Sequence, residues 1–361
     1  MVGISRNLAD PPPVFPVSLS NGGVSDGARA DRLSLLSHVI EGADASLRRG
    51  ESPAAHVWPT GFVQLDTYLA GGLRSGELTL LGGPQGLGKT TFVLQVARHA
   101  AAAGSPAVYV SFEHDEMTVL ERLLAIEASI SLGLEAASVK RIREAFENAD
   151  PTRVDRRGIA ERVSALPGGG EALAGVRGYA DLVYVHRASA ATTTVDTIRE
   201  VVTGAQATHG RAPLLVVDYL QKVWAPGSPE EKVTSVVEGL KDLALEGDMP
   251  VLAVVAADRE GLTAGRRLRV AHLRGASALA YEADVVLLMN DKYDVVARHH
   301  LVYDAANADR FRNYVVLTVE KNRTGVDRVD LQLRKRFEQA RFDTDADLVT
   351  EQLVDERLFV E

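Results

Sequence analysis

The segment Gly83-Pro84-Gln85-Gly86-Leu87-Gly88-Lys89-Thr90 fits the pattern G-x-x-x-x-G-K-[ST] and constrains the fold more than any other stretch. Its glycines let the backbone curl until successive N–H groups point inward, a concavity that suits phosphate oxygens. Such a loop needs a strand to deliver it and a helix to leave it, because the helix N-terminus adds its positive end to the same anion. Both flanks are present: LTLLG (78–82) is an apolar run of strand length, and a helical stretch is predicted from Lys89 to about Ala103. Lys89 is expected to reach the β- and γ-phosphates, and the Thr90 hydroxyl to ligate Mg²⁺. The predicted nucleotide cradle is Gly83, Pro84, Gln85, Gly86, Leu87, Gly88, Lys89, Thr90 and Thr91, with ATP and Mg²⁺ as cofactors.

Further apolar runs follow: AVYVSF (107–112), DLVYVH (181–186), PLLVVD (213–218), PVLAVVAA (250–257), DVVLLM (284–289) and YVVLTVEK (314–321). They are apolar nearly throughout rather than alternating, as strands buried on both faces of a parallel sheet must be. Helical stretches lie between them near 116–148, 194–208 and 230–246. The alternation predicts an α/β fold around a mostly parallel central sheet. A metal on the phosphates needs an acid at the end of a second buried strand, and Asp218 closes LLVVD. Taken alone, Asp218 is equally a strand-end Asp capping a turn; beside the phosphate loop, the metal reading is favoured.

Composition narrows the class. Hydrophobic residues make up 46% and charged residues 25% of the 361, the proportions of a soluble globular chain. With no cysteine, disulfides and cysteine-ligated zinc are excluded. The start lacks a basic region followed by an apolar run, and no stretch reaches the ~18–20 apolar residues of a membrane span. A cytoplasmic protein without membrane contact is expected. The net charge of −9 removes any whole-surface basic footprint for nucleic acid, while leaving room for a basic channel inside an acidic ring.

The chain divides by pattern. Residues 1–28, with four prolines between Pro11 and Pro16, are expected to be disordered, and are a candidate binding segment for a protein partner. Residues 29–58 hold an amphipathic linker helix, marked by Leu33, Leu36, Ile40 and Ala43, then a polar link. That helix either folds back on its own domain or docks on a neighbouring subunit. Residues 59–343 are the α/β domain, and 344–361 an acidic tail with the composition of a short helix.

From Thr60 to about Phe342 the sequence resembles the RecA-like ATPase domain of the DnaB-type replicative helicases, with similarity to the RadA and KaiC ATPases. The resemblance rests on six ordered segments: TGFVQLDTYLAGGL (60–73), GGPQGLGKTT, VSFEHDEMTVLERLLA (110–125), LLVVDYLQKV (214–223), LRGASALAYEAD (273–284) and VEKNRTG (319–325). It implies a RecA-like P-loop NTPase domain that assembles with itself, as a hexameric ring, on single-stranded DNA. It assigns the water-polarising carboxylate to Glu113, with Asp115 and Glu116 as neighbouring acids suited to a helix N-terminus. It makes Arg323 a finger acting in the next subunit's site, with Lys321 assisting. Without the resemblance, Arg323 and Lys321 read as a solvated strand end.

The chain also departs from the family. Where the family has a Gln sensing the γ-phosphate, this chain has Ala256. The segment 224–246 carries Pro229, Glu230, Glu231 and Glu238 where the family is basic, and acids facing a phosphate backbone oppose binding. The nominated DNA contacts are Arg259, Arg266, Arg267, Arg269 and Arg274, in a loop with glycines but no aromatic for stacking. A basic surface loop or a subunit contact accounts for them equally well. Two functions therefore stand: a motor on single-stranded DNA, or a RecA/KaiC-like switch directed at a protein.

Overall fold

The computed structural model describes residues 35–50, 52, 55–147, 155–258, 261, 265–302 and 305–356. The proline-rich start, Leu33, Arg259 and the last five residues lie outside the described residues. The chain forms two units, Met1–Ala54 and Ala55–Glu361. In the first, helix α1 (Leu36–Arg48) carries Leu36, Val39, Ile40 and Leu47 exposed, and buries no residue.

The second unit is one large sheet with helices on both faces. Its strands are β1 (Val57–Trp58), β2 (Leu73–Arg74), β3 (Leu78–Gly83), β4 (Ala107–Ser111), β5 (Val183–Arg187), β6 (Leu214–Asp218), β7 (Val251–Ala256), β8 (Val285–Asp291), β9 (Tyr314–Asn322), β10 (Val329–Arg336), β11 (Arg341–Phe342) and β12 (Asp347–Leu348). Its helices are α2 (Val63–Tyr68), α3 (Lys89–Ala102), α4 (Glu116–Leu132), α5 (Val139–Phe146), α6 (Ile159–Ser164), α7 (Gly169–Tyr179), α8 (Val195–His209), α9 (Pro229–Gly247), α10 (Ala276–Glu282), α11 (Lys292–Val295), α12 (His299–Val302) and α13 (Ala305–Arg312). The order across the sheet is β11-β10-β9-β8-β3-β7-β6-β4-β5, with β12 on β10 and β1 pairing only β2. Strands β3 to β8 run parallel; β9 to β12 turn back antiparallel. Parallel β3, β4 and β6 are buried along their whole length, which is why their sequences read as unbroken apolar runs.

Side chains close the starts of two helices beside the sheet. Asp115 accepts the Thr118 N–H at 2.8 Å to cap α4, and Ser228 with Glu231 forms a capping box at α9 with Pro229 in its first turn. The described part of the acidic tail is extended, not helical. Leu348 pairs with Leu331, and Val349 donates to the Asp330 carbonyl at 2.9 Å, which covers part of the otherwise open edge of β10. Further on, Val354 donates to the Val295 carbonyl of α11 at 2.8 Å. No helix among the described residues is long and apolar enough to cross a membrane.

One clasp ties the tail end of the sheet to the loop helix. The buried Gln95 amide on α3 accepts from the Phe342 N–H at 2.9 Å and donates to its carbonyl at 3.0 Å. Gln95→Ala leaves two buried backbone groups unsatisfied, so a loss of about 2–4 kcal/mol in a denaturant titration is expected. An unchanged midpoint and slope would show that β11 does not depend on this clasp.

Candidate nucleotide and metal site

A cavity of 510 Å³ opens at the carboxyl ends of β3, β4, β6 and β7. That edge is where open α/β sheets hold ligands. The phosphate loop forms one wall through Gly83, Gln85, Gly86, Gly88, Lys89, Thr90 and Thr91; Glu113 and Asp218 stand on the others. Pro84 takes part through its carbonyl, while Leu87 is buried against the core and does not line the cavity. Gly88 has φ +87°, and an added Cβ would lie 2.7 Å from the Phe337 ring. Only glycine fits there, on both counts.

The Lys89 ammonium donates to the carbonyls of Gly83 and Pro84, both at 2.8 Å, which holds it inside the loop. Burial lowers its pKa, and the carboxylates of Asp218 and Glu113 oppose that shift. Asp218 accepts from the Tyr109 hydroxyl at 2.8 Å and is bonded by the Thr90 hydroxyl. Burial raises its pKa, and those hydrogen bonds counter the rise by favouring the carboxylate. Thr90 and Asp218 thus present adjacent hard oxygens, the donor type that suits Mg²⁺. No cluster of three or more His, Asp or Glu able to hold a metal exists among the described residues.

The neighbouring acids separate by role. Asp115 is spent on capping α4, and the donated Thr118 N–H lowers its pKa. Glu113 lines the cavity, and Glu116 does not. Ala256 and Ala257 form the back wall, and the Ala256 N–H donates to the Gln221 side chain at 3.0 Å. The lining residues that escaped sequence reading include His114, Arg122, Tyr219, Val254 and Phe337. His114 and Arg122 flank Glu113 and Asp218, and Phe337 offers a ring at the rim. Burial lowers the pKa of Arg122, and its Nε is buried without a hydrogen-bond partner. The available signal was an arginine on the apolar stripe Val119, Leu123 and Ile126 of α4.

Lys321 and Arg323 are elsewhere. Strand β9 is antiparallel to β8, with Asn322 opposite Val285, so its end lies at the sheet edge away from the phosphate loop. Lys321 donates to the carbonyls of Ala280 and Ala283 at 2.7 and 2.6 Å. Arg323 bonds the Tyr281 carbonyl and pairs with Asp284 at 3.4 Å, its side chain 47% exposed. Among the nominated DNA arginines, Arg267 is buried against Thr318 and Asp330, and Arg269 pairs with Glu320 at 3.0 Å and with Asp355. The Arg266 backbone forms an isolated antiparallel β-bridge with Glu356, and the Arg274 side chain is exposed.

Residues 58–158 and 177–343 match the family model described as DnaB-like helicase C terminal domain. The chain belongs to the DnaB-like helicase C-terminal domain family. It is accordingly an ATP-hydrolysing enzyme. The replicative DNA helicase DnaB of Leifsonia xyli is 26% identical over 238 residues, 64% of this chain and 46% of the relative. That of Pasteurella multocida is 25% identical over 291 residues, 79% of this chain and 54% of the relative. The chain spans about half the length of these DnaB relatives. A solved structure of a DnaB-like replicative helicase, described with its interactions with primase, superposes with TM-score 0.63 at 18% identity, over 87% of this chain and 68% of that one. At that identity the likeness shows the RecA-like fold.

Proposed function

We propose that this DnaB-like ATPase works as a homo-oligomeric ring, hexameric in form, that moves on single-stranded DNA. The observation that carries the reading is Arg323. It is an exposed cation on the sheet edge opposite its own cavity, where a neighbouring copy's cavity would meet it. In this mechanism the phosphate loop and Lys89 hold ATP, and Thr90 with Asp218 holds Mg²⁺, which neutralises phosphate charge when bound. Glu113 orients water for attack on the terminal phosphate, and Arg323 of the next subunit steadies the charge that develops.

The test is ATP turnover with and without single-stranded DNA, at low and moderate salt. Stimulation that fades as salt rises supports the motor, because phosphate contacts release counterions. Basal turnover with no stimulation at low salt sinks it. The second reading, a switch acting on a protein, would then hold. It draws on Ala256 at the back wall and on Arg267 and Arg269 being engaged within the chain.

A further inference from the structure

Tyr109 and Ser111 stand two residues apart on β4, so their side chains leave the same face of the sheet. Tyr109 is fully buried. A phenylalanine would fill that space without carrying a polar atom into the core. A buried hydroxyl is tolerated when its hydrogen bonds are made, and those of Tyr109 are.

The first bond ends on Asp218, with the Tyr109 hydroxyl 2.8 Å from Oδ2. An ionised carboxylate has no proton to give, so the tyrosine donates. Burial and the Asp218 charge push the Tyr109 pKa up, so it keeps the proton it donates. Its oxygen is left to accept, and the Ser111 hydroxyl bonds it. With its proton turned to Tyr109, Ser111 Oγ accepts in turn from the His114 N–H at 2.9 Å. The bonds therefore run in one direction, from His114 through Ser111 and Tyr109 to Asp218. Each donor polarises the next, which strengthens such a chain in a dry interior. Ser111 and Asp218 are buried as Tyr109 is, so bulk water does not compete along it.

Both ends of the chain reach the nucleotide cavity. Asp218 lines it from the end of β6, where its backbone pairs with Ser111. His114 lines it beside Glu113. Tyr109 and Ser111 do not line the cavity, so each acts through another residue.

We propose that Tyr109 and Ser111 are positioning residues for ATP hydrolysis. Tyr109 fixes the rotation of the Asp218 carboxylate for Mg²⁺, and Ser111 ties that setting to the turn carrying Glu113. The inference rests on the assignment of Asp218 to Mg²⁺ and of Glu113 to water above.

Full-length protein is mixed with a fluorescent non-hydrolysable ATP analogue in EDTA, and anisotropy is followed as Mg²⁺ is restored. Wild type is expected to bind more tightly as Mg²⁺ fills its site. Tyr109→Phe should raise the Mg²⁺ concentration at half-effect by roughly 10- to 100-fold, the usual result of removing a hydrogen bond behind a metal ligand. Its affinity for the analogue in EDTA should equal that of wild type. Ser111→Ala should raise the half-effect concentration less. The double variant should shift it no further than Tyr109→Phe, because Ser111 reaches Asp218 only through Tyr109. At saturating Mg²⁺, Ser111→Ala should still turn over ATP roughly 2- to 10-fold more slowly, the loss of one neutral hydrogen bond behind Glu113. An unmoved Mg²⁺ dependence in Tyr109→Phe overturns the proposal and leaves the nucleotide site standing. Affinity lost in EDTA as well would make Tyr109 a packing residue and overturn its role. Additive shifts in the double variant, or full turnover by Ser111→Ala, overturn the tie between the two acids. A wild type whose binding ignores Mg²⁺ overturns the metal assignment itself.

Discussion

Lys89→Ala is expected to lower ATP turnover by roughly 10³-fold or more, measured as phosphate release under saturating ATP. The size follows from where the ammonium sits. It is mostly buried, held by two loop carbonyls, and faces the carboxylates of Glu113 and Asp218. Charge in such a partly dehydrated site acts far more strongly than in water. Removing it also leaves those carboxylates to repel a triphosphate with nothing between them. The loss should therefore appear in kcat and in nucleotide affinity together. The backbone N–H groups of residues 83–90 remain, so weak ADP binding should survive at high concentration. Turnover within tenfold of the wild type would mean that hydrolysis takes place somewhere other than this cavity.

How much of this was legible in the sequence depends on how local the cause is. The parallel half of the sheet was readable, because strands buried on both faces must be apolar throughout. The observed β3, β4, β6, β7 and β8 lie within one or two residues of the predicted runs. The antiparallel half was less so. Strand β10, VDLQLRKR, alternates buried Leu331 and Leu333 with polar residues and ends in cations, so it reads as a polar connection. Helix α7 begins in a run of glycines, which are poor helix formers and mask its start in the sequence. At the site, the phosphate loop and Asp218 were readable because backbone geometry fixes their residue types. Arg122, His114 and Phe337 were not, since their place in the cavity depends on how α4, the segment before it and the turn after β10 pack against the loop. Two arginines of the nominated loop, Arg267 and Arg269, stand differently in three dimensions. Counting Arg267 and Arg269 as available ignored acids brought to them from distant positions: Asp330, Glu320 and Asp355. Charge availability is a tertiary property, and composition does not carry it.

Arg323→Ala is expected to reduce turnover by roughly 10³-fold, the low end for a missing finger, while leaving ATP affinity nearly intact. Affinity is spared because Arg323 lies away from its own chain's cavity and pairs with Asp284 and the Tyr281 carbonyl. The Arg323→Ala protein has a sound phosphate loop but lends no finger. The Lys89→Ala protein lends a finger but has a broken loop. In a ring of head-to-tail interfaces each site joins one loop to one finger from the next copy. Random mixing in equal parts therefore rebuilds roughly a quarter of the sites. The mixture should recover about that fraction of wild-type turnover, although neither parent is active alone. Recovery requires subunit exchange, which tagged copies of the two variants report through co-purification. Co-purification without recovered turnover would rule out the action of Arg323 across subunits. It would also remove the observation that favours a ring, because a finger confined to its own chain has no cavity within reach.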